Sequence, residues 1–305
     1  MIEVDGFSKA YGRRSQPAVS EISFRVNDGE IVGLAGLNGA GKTTTINAIT
    51  GVVLPSAGRI LVNGFDIVKE KTRASRTVGW VSEYPSFEQN AKPVLLMQYF
   101  AGFYDMPSGE AGQRITEVLK AVGLERALDM KIRSYSQGMK KRFGLASAML
   151  SDPVNYLLDE MLNGLDPEGI SYVRNLLIRF RNEGKAILLS THILSVLQDL
   201  ADRVIILHRG KVLQTLTRDS MKKLGRPSLR LKVDKVDANL LGLLSKFGAP
   251  VVAGGEVVVS GIDDSQAATE EVSAALIAGG YRLSHLGIER ESLEEYFLQL
   301  TREAS

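Results

Sequence analysis

Cysteine is absent from the 305 residues. That excludes disulfides and thiolate metal sites, and it fits a reducing compartment. A charge excess is absent as well. The 37 basic and 35 acidic side chains leave a net charge of +2, too little for bulk attraction to nucleic acid or anionic lipid. No apolar run approaches the roughly 18 residues that a membrane helix needs. The longest candidate, Val94 to Tyr104, is interrupted by Gln98 and Gly102. The start, Met1-Ile2-Glu3-Val4-Asp5, has neither the basic nor the apolar region of a signal peptide. Internal repeats and low-complexity segments are also missing. The chain is therefore expected to be soluble by itself, with any membrane role supplied by a partner. What remains is an ordinary globular composition, 44% hydrophobic and 24% charged, on a chain long enough for two domains and a sizeable core.

Against that background one segment stands out. Gly36-Leu37-Asn38-Gly39-Ala40-Gly41-Lys42-Thr43 fits the phosphate-loop pattern G-x-x-x-x-G-K-[ST]. It follows an apolar strand-like run, Glu30 to Ala35, and precedes a helix-like run, Thr44 to Ile49. The glycines let successive backbone N–H groups face one anion, and the helix N-terminus adds partial positive charge beneath it. Lys42 is expected to reach the β- and γ-phosphates and Thr43 to bind Mg²⁺, with Thr44 also lining the nucleotide.

Strand signals continue around Gly58 to Gly64 and at Val78 to Val81, then vanish from Pro85 to Leu150, where helical periodicity takes over. Pro93 suits a helix first turn. Strands return at Tyr156–Leu158, Ala186–Leu189 and Val204–Leu207, with helices between them. Such units indicate a parallel sheet covered by helices, with 85–150 as a helical insertion. A second unit is expected over 226–305, with order βαββαβ, the ferredoxin-like pattern: strand Leu229–Val233, helix Ala238–Phe247, strands at Val251–Val252 and Glu256–Ser260, helix Ser265–Ala278, strand Arg282–Ile288, then helix Ser292–Arg302. The fold class is thus α/β, with a nucleotide-binding domain over 1–220 and a small α+β domain after it.

Val154-Asn155-Tyr156-Leu157-Leu158-Asp159-Glu160 is an apolar strand ending in two carboxylates. Alternation aims the two to different sides. One can hold Mg²⁺ through water while the other faces the γ-phosphate, the pair of tasks that nucleotide hydrolysis needs.

Taken together, these motifs resemble the nucleotide-binding subunit of ATP-binding-cassette (ABC) transporters, over residues 1 to about 215. Tyr135-Ser136-Gln137-Gly138-Met139-Lys140-Lys141-Arg142 aligns with the family's LSGGQ-x-Q-R segment, Asn163-Gly164-Leu165-Asp166 with its D-loop, and Ser190-Thr191-His192 with its switch histidine. Tyr11 stands where the family stacks an aromatic on adenine. The resemblance implies that ATP binds between two copies of the chain. Lys42 and the loop hold the phosphates on one copy, and Ser136, Gly138 and Asp166 of the other close across the interface. Glu160 then orients or deprotonates water, His192 contacts the γ-phosphate, and Thr43, Asp159 and Glu83 serve Mg²⁺. Glu83 replaces the usual glutamine, and Met161-Leu162 replaces Pro-Thr or Pro-Ser, which bears on loop rigidity. These variants, and Glu291 to Thr301 near the end, are similar to the subgroup that drives ABC-2-type exporters. A membrane permease is the implied partner, which places the chain in the cytoplasm on the inner face of the membrane. A second ATPase subunit completes the dimer, a homodimer in preference to a heterodimer, and nucleic acid is not expected.

Plainer readings stand beside these. Tyr11 alone reads as a core-packing strand aromatic, and His192 alone as a satisfied polar residue at a strand end. His208 and His285 have no special context. Lys140-Lys141-Arg142 reads as a solvated helix face, because no aromatic residues interleave it. Val94 to Phe100 reads as helix core, and the resemblance adds a groove for the permease along its lip. Rival functions are a soluble ABC-type ATPase acting on ribosome or DNA, and an importer ATPase whose 226–305 unit senses a ligand. For that unit a dimerisation role is preferred.

Overall fold

Ile2, Val4 and Phe7 are buried along β1 (Ile2–Lys9), which pairs antiparallel with β2 (Val19–Val26). In the computed structural model, which describes residues 1–12, 16–224, 227–262, 266–289 and 292–303, the chain then enters β3 (Ile31–Ala35), the phosphate loop and α1 (Lys42–Ile49). β4 (Ala57–Val62), β5 (Phe65–Asp66), α2 (Lys71–Ser75) and β6 (Val78–Val81) follow. The helical stretch comprises α3 (Pro93–Ala101), α4 (Ser108–Ala121) and α5 (Gln137–Met149), with 3-10 turns at Gly102–Tyr104 and Ile132–Ser134. β7 (Asn155–Asp159), α6 (Pro167–Asn182), β8 (Ala186–Ser190), α7 (Leu194–Leu200), β9 (Arg203–His208) and β10 (Lys211–Thr217) complete this part.

These strands form two sheets. One, in order β2-β1-β4-β5, is antiparallel; the other runs β10-β9-β3-β8-β7-β6. In the second sheet the neighbours from β9 to β6 are parallel, and only β10 pairs antiparallel, at the edge. The expected parallel sheet is therefore correct for five strands. The separate antiparallel sheet and the returning edge strand are additions to it. Strands β3, β7 and β8 are buried at every residue, as a sheet covered on both faces requires. Helix α1 inserts Ile46, Ala48 and Ile49 into a core shared by both sheets, with Ile2, Phe7, Leu34, Leu188 and Leu207. Burial of each such isoleucine contributes about 2 kcal/mol.

Contacts divide the chain into two compact units, Met1–Arg218 and Asp219–Ser305. Helix α8 (Arg218–Lys222) spans the division. Taken by itself, the second unit has β11 (Ser228–Val233), α9 (Ala238–Leu244), β12 (Ala249–Ala253), β13 (Glu256–Ser260), α10 (Gln266–Ala278), β14 (Leu283–Glu289) and α11 (Leu293–Glu303). Its sheet order, β12-β13-β11-β14 with antiparallel neighbours, is ferredoxin-like. Leu229, Leu231, Leu240, Leu244, Val257, Val259, Val272 and Leu276 form its core. Of the positions expected to bound elements or motifs here, Arg226, Ser265, Glu291 and Ser305 lie outside the described residues.

Candidate nucleotide site

Parallel strands that share a direction deliver their C-terminal ends to one edge of the sheet, and that edge is where open α/β sheets bind ligands. Here four strands converge on it. β3 leads into the phosphate loop, β8 ends at Ser190, β7 ends at Asp159, and β6 ends two residues before Glu83. Asp159 is directly opposite Ser190 in the β7–β8 ladder.

The phosphate loop needs its glycines. Gly39 and Gly41 have φ of +80° and +105°, the region that glycine occupies at little cost. A Cβ on Gly36 would lie 2.7 Å from the Leu207 carbonyl oxygen, and one on Gly41 would lie 2.9 Å from that of Ala18. Helix α1 has neither a side-chain cap nor an acidic residue in its first turn. Its leading N–H groups are therefore left to an anion. Lys42 is 6% exposed. Its Nζ donates to Gly36 O at 2.7 Å and lies 3.4 Å from Glu160 Oε1.

Glu160 has a left-handed backbone, with φ of +47°. Its amide donates to Ser190 O at 3.1 Å and to Ser190 Oγ at 2.9 Å. Its Oε2 accepts from Asn163 Nδ2 at 2.7 Å and lies 3.2 Å from His192 Nδ1. Asp159 Oδ1 accepts the Ser190 hydroxyl at 2.6 Å. Burial pushes the Asp159 carboxyl above the usual carboxylate range. Hydrogen bonds from Ser190 and Thr43 oppose that shift, and the charges of Glu160 and Glu83 add to it. Lys42, Thr43, Glu83, Asp159, Glu160 and His192 are thus brought together. Tyr11 is 64% exposed, and its hydroxyl is 3.3 Å from Thr44 Oγ1. Lys9 Nζ stands 5.3 Å from the centre of its ring. The reading of Tyr11 as a core aromatic is excluded by that exposure.

The remaining predicted residues have local roles. Ser136 is the N-cap of α5, its hydroxyl accepting the Met139 amide at 3.1 Å. Gly138 faces Gly164 O and Leu165, each of which a Cβ there would approach to 3.3 Å. Asp166 caps α6 by accepting the Gly169 amide at 2.9 Å. Among the described residues, neither Ser136 nor Gly138 bonds to loop 36–44 of its own chain.

Two readings need correction. Lys141 is not on a solvated face: it is 5% exposed, and its Nζ donates to the Glu160 carbonyl at 2.5 Å. Burial lowers the pKa of its ammonium group, and the charges of Glu83, Glu160 and Asp159 counter that effect. Arg142 also turns inward, bonding to the carbonyls of Val122 and Gly123 at 3.2 Å. Met161 and Leu162 are 0% and 1% exposed, so they anchor the segment after Glu160 by burial, without proline. Asn163 was visible only as part of a loop motif; its position between Glu160 and His192 had no separate sequence signal.

Away from this edge, Trp80, Phe100, Phe103 and Tyr104 line a cavity of about 600 Å³ with Arg76 and Ser147. Trp80 and Phe103 are exposed, at 37% and 67%.

A phosphate loop, a strand-end carboxylate pair and a histidine on a mostly parallel sheet define a P-loop ATPase. Residues 19–163 match the family model described as ABC transporter. The chain is similar to the bacitracin transport ATP-binding protein BcrA of Bacillus licheniformis, at 31% identity over 98% of this chain and 97% of that one. It is also similar to the linearmycin resistance ATP-binding protein LnrL of Bacillus subtilis, at 32% over 99% and 98%. A solved ATP-binding subunit of an ABC transporter superposes with a TM-score of 0.67, at 32% identity, covering 73% of this chain and 92% of that one. The chain belongs to the ATP-binding proteins of ABC transporters, and it is an ATPase whose hydrolysis is coupled to transport.

Proposed function

We propose that this chain powers an exporter by closing around ATP as a homodimer beneath a membrane permease. The cluster of Lys42, Glu160, Asn163 and His192 at the end of the parallel strands supports the ATPase chemistry. The exporter direction is carried by one observation. The likeness to proteins named for bacitracin transport and linearmycin resistance runs the length of the chain, including the second unit. We assign the unit Asp219–Ser305 to dimerisation in this reading; it is compact and has an apolar core of its own.

The loop amides and Lys42 bind the phosphates, Lys42 exchanging its bonds to Gly36 O for phosphate oxygens. Glu160 accepts a proton from the attacking water or aims it, while Asn163 holds the carboxylate in place. His192, its side chain 61% exposed, contacts the γ-phosphate. Ser136 and Gly138 reach the nucleotide of the partner copy. Oxygen donors suit Mg²⁺, and Thr43, Asp159 and Glu83 would hold it. Among the described residues no group of three or more His, Asp or Glu forms an all-protein metal cage, and magnesium carried with a nucleotide needs none. Bound there, the ion neutralises charge on the phosphates. ATP favours the closed dimer because both copies contact it only in that state, and hydrolysis removes the preference.

No described helix is long and apolar enough to cross a membrane. Attachment on the cytoplasmic face through the permease then falls to an exposed apolar surface, and the Trp80–Phe103–Tyr104 groove is the one we assign to it. The test is a pull-down from native membranes with full-length Glu160→Gln loaded with Mg-ATP. One polytopic membrane protein is expected. Phe103→Glu is expected to lower its recovery about tenfold, the loss of one buried aromatic anchor, without changing ATP binding. Recovery of ribosomes or DNA-repair factors would contradict the exporter reading.

A further inference from the structure

The backbone of Glu160 is gripped on both sides. Ser190 takes its N–H, and Lys141 takes its C=O. Its backbone has φ of +47°, a conformation that a residue with a side chain keeps only when its surroundings over-determine it. The grip is costly in kind, since a lysine ammonium held in the interior forfeits its hydration. The charges of three carboxylates act on it, those of Glu83 after β6 and of Glu160 and Asp159 at the end of β7. Such a group is not needed to fill space. Lys141 also stands where the resembling segment has glutamine, so a neutral donor is the alternative at this position. It lies on α5, the helix whose N-cap is Ser136 and whose first turn carries Gly138.

We propose that Lys141 is a positioning residue for hydrolysis. It clamps the Glu160 carbonyl so that the carboxylate points to His192, Asn163 and Lys42. Through α5 it ties that geometry to Ser136 and Gly138, the segment that reaches the partner's nucleotide. This inference rests on Glu160 as the group that activates water.

A double-mutant cycle on the full-length protein tests it, read by single-turnover hydrolysis of Mg-ATP. Lys141→Met keeps the length of the side chain and removes the donor. Hydrolysis is expected to fall by roughly 10- to 100-fold, as for a misplaced catalytic group. The KM for Mg-ATP is expected to stay within about threefold, because the phosphate-binding groups are untouched. In the Glu160→Gln background the same substitution is expected to have almost no further effect, since residues that act as a unit are non-additive. If Lys141→Met does not fold, Lys141→Gln carries the same cycle. It retains an N–H donor, so its loss is expected to be smaller and to vanish equally in the Glu160→Gln background. An unchanged rate for Lys141→Met, or a loss of the same factor with and without Glu160, would overturn the inference. A wild-type rate for Glu160→Gln alone would instead overturn the assignment of Glu160.

Discussion

Replacing Glu160 with glutamine will leave Mg-ATP bound and slow its hydrolysis by roughly 10²- to 10⁴-fold, the range for removing a positioned general base. The amide keeps the size of the side chain and one oxygen. It can therefore still accept from Asn163 Nδ2, which now lies 2.7 Å from Oε2. It cannot take a proton from water. The buried partners remain in place: Ser190 still receives the backbone N–H and Lys141 still holds the carbonyl. The loss will fall on kcat, and the affinity for ATP will be retained. Equilibrium binding of a fluorescent ATP analogue and a single-turnover assay separate the two quantities. A variant that hydrolyses at the wild-type rate would remove Glu160 from the chemistry.

Lys42→Ala has the other large effect, and it falls on binding. The Lys42 ammonium is buried and bonded within the loop, placed to meet a phosphate. A charge-assisted hydrogen bond is worth about 1.5–3 kcal/mol, or roughly 10- to 150-fold in affinity. Turnover falls as well, because the same charge stabilises the phosphoryl group in transit. The alanine leaves Gly36 O without its side-chain partner and the buried Glu160 without the cation 3.4 Å from it, so a drop in thermal stability accompanies the loss. Titration with Mg-ATP at constant protein concentration measures the first effect. Unchanged affinity together with an unchanged steady-state rate would contradict the phosphate-loop assignment.

The parts of this site that are legible in sequence are those whose chemistry is local. The loop 36–43 is fixed by glycines that no other residue can replace at that spacing. The end of β7 is marked by the change from Leu157-Leu158 to Asp159-Glu160. The ferredoxin-like unit shows through its βαββαβ order. What could not be read is what long-range packing decides. Lys141 sits in a run of three basic residues that looks like solvated surface. Only the approach of α5 to the end of β7 turns it inward, against Glu160. Asn163 gains its role from the neighbouring strand, which brings His192 to it. The short β5 and the edge strand β10 lack the continuous apolar runs of β3, β7 and β8, since each has exposed or half-buried positions. They acquire strand character from pairing. Met161 and Leu162 bore on loop rigidity in the sequence, and their burial depends on packing that the sequence does not show.

The central claim is that each ATP is held between the phosphate loop of one copy and Ser136 and Gly138 of another. Two inactive full-length variants test it directly when mixed. Lys42→Ala disables the loop. Ser136→Asp keeps an N-cap acceptor for α5, because aspartate caps helices as well as serine does, and it sets a negative charge against the partner's γ-phosphate. Each variant alone is expected to be nearly inactive. In a mixed dimer one site has both defects and the other has none. Random exchange of subunits of a two-fold dimer should therefore restore roughly a quarter of the wild-type ATPase rate. A mixture that stays as inactive as its components, under conditions where subunit exchange is shown by a fluorescence label, would contradict the shared-site account.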